Sequence, residues 1–438
     1  MSFQRTAWAS ATNIYEVNLR QYTPEGSFAA FGRHLPRLRD MGIEVLWFMP
    51  ITPISQDRRK GSLGSYYACS DYMATNPEYG SLDDFKQLVK DAHGMGFKVL
   101  IDWVANHTGW DHRWTKEHPD YYRKNQEGQF YEAHGWEDVI DLNYDNPQLR
   151  QAMISAMEFW IDQCDLDGFR CDMAMLVPLD FWREARTALD KRKQLFWLAE
   201  CEEVAYHEVF DATYTWKFLH RMEAVRRKEY GPAGLDEVLQ EYAASFPTEA
   251  LRAYFTSNHD ENSHSGSEYE RMGDEARLFA VLCCTWNGVP LIYSGQELPN
   301  YKRLQFFEKD PIEWKAEQDP AAWKGAFALH DFYKRLLGLR RRNAALQAGR
   351  PDSVQRLHTK ADDRSFIFRR TNGGDEVLVL LNLSAEVLTI PVQELGLGSG
   401  GTFQALFLGG IHQFTEDMLI QLAPWGYEVY ERLQGEKR

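Results

Sequence analysis

The chain has 438 residues, enough for a large core and more than one domain. Its 49 basic and 64 acidic residues leave a net charge of −15, which argues against nucleic acid and anionic membranes as partners. No apolar run reaches the length a bilayer-spanning helix needs.

The six cysteines (Cys69, Cys164, Cys171, Cys201, Cys283 and Cys284) form no CxxC pair and read as reduced core thiols. The N-terminal stretch has no apolar signal segment, so a cytoplasmic protein is expected. Aromatic residues make up 14%, which suits large cores or surfaces that stack on flat ligands such as sugar rings.

Ile14–Asn18 reads as a first strand, and Phe28–Met41 as a helix closed by Gly42. The near-continuous apolar run Ile43–Pro50 fits a strand buried on both faces, hence a parallel sheet. The unit repeats with a helix over Leu82–His93 and a strand over Phe97–Asp102. A polar, aromatic stretch from Thr108 to Asn146 follows, too long for an ordinary connection, so a small domain or a lid is expected. Asn146-Pro147 starts another helix by its cap and first-turn proline.

Strands are then predicted at Leu166–Asp172, Leu195–Glu200, Ala253–Ser257 and Val289–Tyr293, with helices at Leu179–Leu189 and Leu278–Cys284. Roughly eight strand-then-helix units point to an α/β fold, a (β/α)₈ TIM barrel. An open doubly wound sheet usually needs fewer strands and a phosphate loop. From Arg350 the texture becomes β-rich: Ser365–Arg370 and Val377–Leu381 flank Asn372-Gly373-Gly374 as a hairpin, and Phe403–Leu408 and Tyr427–Tyr430 follow. The expected organisation is a barrel over 1–107 and 147–349, an insertion over 108–146 after the third strand, and a C-terminal antiparallel β-sandwich over 350–438.

Polar residues end the barrel strands. Asp102, Asn106 and His107 follow the third, Arg170 and Asp172 end the fourth, Glu200 ends the fifth, and Asn258, His259 and Asp260 end the seventh. In a (β/α)₈ barrel these ends meet around one opening. Strand alternation puts Arg170 and Asp172 on one face, ~6–7 Å apart along the strand. That pair alone is either a structural ion pair or a site. Three carboxylates with two histidines and an arginine favour a site, because burying that much charge is costly.

Four segments resemble the signature segments of glycoside hydrolase family 13, the α-amylase family. They are Asp102–His107, Gly168–Asp172, Leu198–Glu200 and Phe255–Asp260; Tyr67–Tyr72 and Gly288–Glu297 are also similar. The resemblance implies a retaining α-glucan hydrolase that cleaves α-1,4 bonds of starch or malto-oligosaccharides. It implies Asp172 as nucleophile, Glu200 as general acid and then base, and Asp260 as a carboxylate that binds hydroxyls and favours the distorted sugar. It implies Tyr67, Asp102, His107, Arg170 and His259 as substrate-binding or orienting residues. The chemistry fits, since retention needs one ionised and one protonated carboxyl ~5–5.5 Å apart. Arg170 should hold Asp172 ionised, and the apolar approach to Glu200 should raise its pKa. A glucan transglycosylase, a cyclomaltodextrinase or an α-glucosidase of the same family, or an inactive glucan-binding barrel, are the alternatives.

Met175 and Leu176 stand where many members have Lys-His, and Asn106 alone supplies one calcium ligand. No cofactor is expected, calcium included, and no metal among the site residues. The partner is a saccharide substrate, with no nucleic acid or membrane, and a monomer is expected. Val139–Asn143 is similar to a fifth family segment but fits neither linkage variant. The GxGxxG stretch Gly396–Gly401 precedes a strand and reads as a loop. His107, Asp111 and His112 lack the pattern of a barrel metal site. Arg58-Arg59-Lys60-Gly61 and Arg340-Arg341-Arg342 read as a solvated loop and a solvated helix end. In the insertion, Trp110 and Trp136 are candidates for sugar stacking.

Overall fold

The computed structural model describes residues 3–298, 300–314, 323–397 and 401–433. In chain order its strands to the end of the barrel are β1 (Ile14–Val17), β2 (Val45–Phe48), β3 (Lys98–Trp103), β4 (His107–Gly109), β5 (Val139–Asp141), β6 (Gly168–Cys171), β7 (Phe196–Ala199), β8 (Ala212–Tyr214), β9 (Leu251–Tyr254) and β10 (Val289–Tyr293). Eight of them close into a barrel in the order β1-β10-β9-β8-β7-β6-β3-β2, each neighbour parallel. All their residues are buried apart from half-buried Lys98, as strands packed on both faces require. The fold class read from the sequence therefore holds. Between β3 and β6, β4 and β5 pair as a small antiparallel ribbon within the inserted segment.

Two local expectations change. The helix over 28–41 is two helices, Phe28–Gly32 and Leu35–Met41. Pro36 has no N–H to give and fits only a first turn, so a new helix starts just before it. Gly42 closes the second one in the left-handed conformation, at φ 99°. The barrel strand absent from the sequence reading is β8, three residues long and followed by the helices Trp216–Arg226 and Ala233–Ser245. Such a short piece carries no readable period.

Past the barrel come β11 (Val354–Arg356), β12 (Ser365–Asn372), β13 (Asp375–Asn382), β14 (Leu388–Pro391), β15 (Thr402–Ala405), β16 (Ile411–Gln413), β17 (Leu419–Leu422) and β18 (Tyr427–Arg432). Six form the sheet β11-β12-β13-β18-β15-β16, and β14 pairs with β17. The expected hairpin is β12–β13, with Asn372 opposite Asp375. Alternation splits its side chains. Phe366, Phe368, Val377, Val379 and Leu381 join the main core of the barrel, while Ile367, Leu378 and Leu380 join a second core with Leu388, Ile390, Ile420 and Leu422. The large sheet is thus covered on both faces.

Arg340 is not solvated. It is buried and donates to the carbonyls of Thr12 and Gly288, while Arg342 pairs with Glu431. Of the glycine-rich stretch, residues 398–400 lie outside the described residues; β15 follows it. All six cysteines are buried and unpaired. Among the described residues, no helix is long and apolar enough to cross a membrane.

Candidate active site

The parallel ladder aligns the site. Asp102 on β3 is the register partner of Arg170 on β6, and Cys171 that of Ala199 on β7. The ladder runs one step further, with Asp172 N donating to Trp103 O at 3.0 Å and Glu200 N to Cys171 O at 3.0 Å. Asp102, Asp172 and Glu200 therefore emerge side by side. Gly168 lets β6 and β7 approach, since a Cβ there would lie 1.9 Å from Phe196 O.

Arg170, fully buried, is shared by three carboxyl groups. Its Nη1 donates to Asp102 Oδ1 at 2.9 Å and to Asp172 Oδ1 at 2.9 Å. Its Nη2 lies 2.8 Å from Glu200 Oε2, a close ion pair whose angle is too poor for a hydrogen bond. Glu200 Oε2 instead accepts from Met173 N at 2.9 Å. Met173 adopts a left-handed backbone, φ 39° and ψ 48°, which non-glycine residues rarely do. That strained turn directly after Asp172 points a backbone donor at Glu200.

One cation cannot balance three buried acids. Burial pushes Glu200 up to about 8, with Asp172 and Asp260 adding to it against Arg170. Burial also raises Asp172 to about 6 despite Arg170, and Asp102 to about 6. The sequence expectation that Arg170 would dominate at Asp172 is corrected: desolvation outweighs it, although Asp172 remains the more acidic of the pair with Glu200.

A second chain of contacts reaches the same mouth. Glu16, on β1, lies 2.5 Å from His259 Nδ1, and His259 Nε2 lies 2.6 Å from Tyr67 Oη and 3.3 Å from Asp260 Oδ2. Tyr67 Oη donates to Asp102 Oδ2 at 3.1 Å. Burial disfavours the His259 cation, but Asp260 and Glu16 outweigh it and raise the imidazole to about 9. With both ring nitrogens protonated, every hydrogen in this relay has an acceptor. His107 is the opposite case. Burial lowers it to about 3, and its Nδ1 accepts from Asn106 Nδ2 at 3.2 Å, so the neutral ring carries its proton on Nε2.

These groups line a cavity of about 370 Å³ that includes Tyr67, His107, Asp172, Glu200 and Asp260. Trp136, Asp138, Lys60, His264, Phe306 and Phe307 also line it. Sequence reading missed Glu16, His264 and the two phenylalanines. Glu16 left a signal, an acid inside the apolar strand Ile14–Val17, whereas Phe306 and Phe307 lie on a loop without a pattern. Lys60 was misread. The loop is not a free solvated one, because Lys60 Nζ pairs with Asp138 Oδ1 at 3.0 Å and Arg58 covers Trp110 at 3.4 Å from its ring centre. Trp136 faces the cavity, but Trp110 is occupied by Arg58.

The Asn106 amide is engaged with His107, His112 Nδ1 accepts from Trp114 N at 3.1 Å, and Asp111 accepts from Gln56 and Asp57 N–H groups. Among the described residues no group of three or more His, Cys, Asp or Glu could hold a metal ion.

A sequence model of the alpha-amylase catalytic domain matches residues 2–137 and 120–328. The chain belongs to the alpha-amylase family, glycoside hydrolase family 13. The alpha-amylase MalA of Haloarcula japonica is 28% identical over 91% of this chain, which spans 59% of that relative's length. An alpha-amylase structure from Lactobacillus plantarum superposes with a TM-score of 0.85 at 28% identity, covering 97% of this chain and 99% of the other. The maltogenic alpha-amylase AmyB of Thermotoga neapolitana gives 0.86 at 27% identity, with 97% and 99% covered.

Proposed function

We propose that this enzyme is a retaining hydrolase of α-1,4-linked glucans, acting on starch fragments or malto-oligosaccharides. What supports this reading is the pair Asp172 and Glu200 on one guanidinium, at 2.9 and 2.8 Å, with burial raising Glu200, to about 8, further than Asp172, to about 6. Near neutral pH the first is ionised and the second protonated, which is the division retention needs.

In the first half-reaction an Asp172 carboxylate oxygen attacks the anomeric carbon as the C–O bond to the leaving chain breaks. The Glu200 carboxyl gives its proton to the departing oxygen. In the second, Glu200, now a carboxylate, takes a proton from water. The water oxygen attacks the anomeric carbon, the ester bond to Asp172 breaks, and both groups return to their starting states. Asp260 hydrogen-bonds hydroxyls of the reacting sugar, the neutral His107 donates from Nε2, and Tyr67 packs against the ring, while the His259 cation, bonded to Glu16 and Tyr67, holds Tyr67 and Asp260 in place. Arg170 and Asp102 position the nucleophile. We further propose that no metal takes part and that the chain works as a monomer.

The test is a time course of products from starch, maltoheptaose, a cyclodextrin, pullulan and isomaltose. Early hydrolysis of maltoheptaose with isomaltose untouched is expected. Exclusive attack on isomaltose, or transfer products without free sugar, would contradict the reading.

A further inference from the structure

The loop 55–64 after β2 walls off one end of the cavity. Toward the insertion, Asp111 Oδ2 accepts from Gln56 N at 2.8 Å and from Asp57 N at 3.2 Å. Beyond these bonds stands the Lys60–Asp138 ion pair at 3.0 Å. Toward the segment after β10, Glu308 accepts from the N–H of Ser62 at 2.8 Å and from its hydroxyl, and Leu63 N donates to Phe307 O at 3.1 Å. Gly61, at φ 64°, presses on that segment so closely that a Cβ would lie 2.6 Å from Phe307 Cβ. Insertion, loop and segment 306–308 form a continuous rim on the side of Tyr67 and His107. Glu200 itself is bonded by Met173 N at 2.9 Å, and His264, its side chain 54% exposed, lies against Phe306 at 5.0 Å between ring centres.

We infer that the Lys60–Asp138 pair is the end wall of the glycone side and holds the terminal hydroxyls of a non-reducing sugar, making the enzyme exo-acting. This rests on the assignment of Asp172 and Glu200 above. With Glu200 protonating the leaving oxygen, the departing chain extends past Glu200, and the glycone occupies the Tyr67–His107 end. A glucan cut in its middle would have to continue through that rim. The cavity, about 370 Å³, falls within the size range of small-ligand sites. The Lys60 ammonium offers donors and the Asp138 carboxylate acceptors, the complement of a vicinal pair of hydroxyls. Asp138 keeps only 7% of its side chain exposed, so its hydrogen bonds form with little competition from water. The 4-hydroxyl such a site would read is free only at a non-reducing end.

The experiment compares a chromogenic maltoheptaoside with the same substrate blocked at its non-reducing 4- and 6-hydroxyls. The native enzyme is expected to favour the open form by at least about tenfold in kcat/KM, the scale of losing charge-assisted hydrogen bonds. Short products should leave successively from the open end. Lys60→Ala should narrow that ratio and release mixed lengths, while Lys60→Arg, which keeps the pair, should preserve it. Thermal unfolding of each variant reports that it is folded. Equal turnover of both substrates by the native enzyme would overturn the exo assignment alone. No turnover of either substrate would instead overturn the assignment as an α-glucan hydrolase, and this inference with it.

Discussion

Arg170 and Arg370 are both fully buried guanidiniums, and their surroundings use them in opposite ways. At the barrel mouth Arg170 faces Asp102, Asp172 and Glu200; burial lowers its pKa, but Asp102 and Glu200 outweigh it and hold the guanidinium well above the ordinary value. At the seam with the C-terminal sheet Arg370 meets neutral acceptors. It donates to Thr285 O at 3.0 Å, Gln347 O at 2.7 Å and Ser353 Oγ at 3.1 Å, and burial lowers it to about 9. Arg340 repeats the seam pattern, lowered to about 10. The mouth has more acids than cations, so a proton stays on a carboxyl at neutral pH. The seam has a cation spread over backbone carbonyls, an arrangement that ties loops together and carries no proton. Burial is the same in both; the count of acids around the guanidinium separates chemistry from architecture.

The contrast can be broken from either side. Asp172→Asn and Glu200→Gln should each lower kcat at least about 10³-fold, with circular dichroism and melting close to native, since each removes a group that reacts in the proposed mechanism. Activity against pH should be bell-shaped. It rises as Asp172 ionises near 6 and falls as Glu200 loses its proton near 8, so Glu200→Gln should remove the basic limb from whatever turnover remains. Glu16→Gln takes away one of the two acids that hold the His259 proton. It should lower kcat/KM about tenfold, the worth of a charge-assisted hydrogen bond in the relay that holds Tyr67 and Asp260, with the loss growing as pH rises. At the seam, Arg370→Met should lower thermal stability by about 3 kcal/mol, because buried acceptors lose their donor. It should leave kcat/KM at moderate temperature near native; a matching loss of activity would erase the distinction between mouth and seam. The smallest effect is expected from a chelator, which should leave activity unchanged; loss restored by added calcium would contradict the metal-free reading.

The barrel was legible because its strands are buried on both faces and therefore read as apolar runs such as Val45–Phe48 and Val289–Tyr293. β8 escaped because three residues hold no period. Asp172 and Glu200 could be named because each directly follows a strand, and Asp102 and Arg170 because each lies near the C-terminal end of one. Lys60, Asp138, Phe306 and Phe307 could not, because their meeting depends on how loops fold over one another and no local pattern encodes it. The energetic sign at Asp172 was missed for a related reason. Arg170 two residues away is visible in the chain, but its sharing with Asp102 and Glu200 is a property of the assembled barrel.

The central claim is that Asp172 forms the covalent bond. It is tested most directly by incubating Glu200→Gln with α-glucosyl fluoride, whose leaving group needs no acid, and mapping the digested protein by mass spectrometry. A glucosyl adduct on the peptide carrying Asp172 is the predicted result. Fluoride release with no adduct there, or an adduct on another carboxylate, would contradict it.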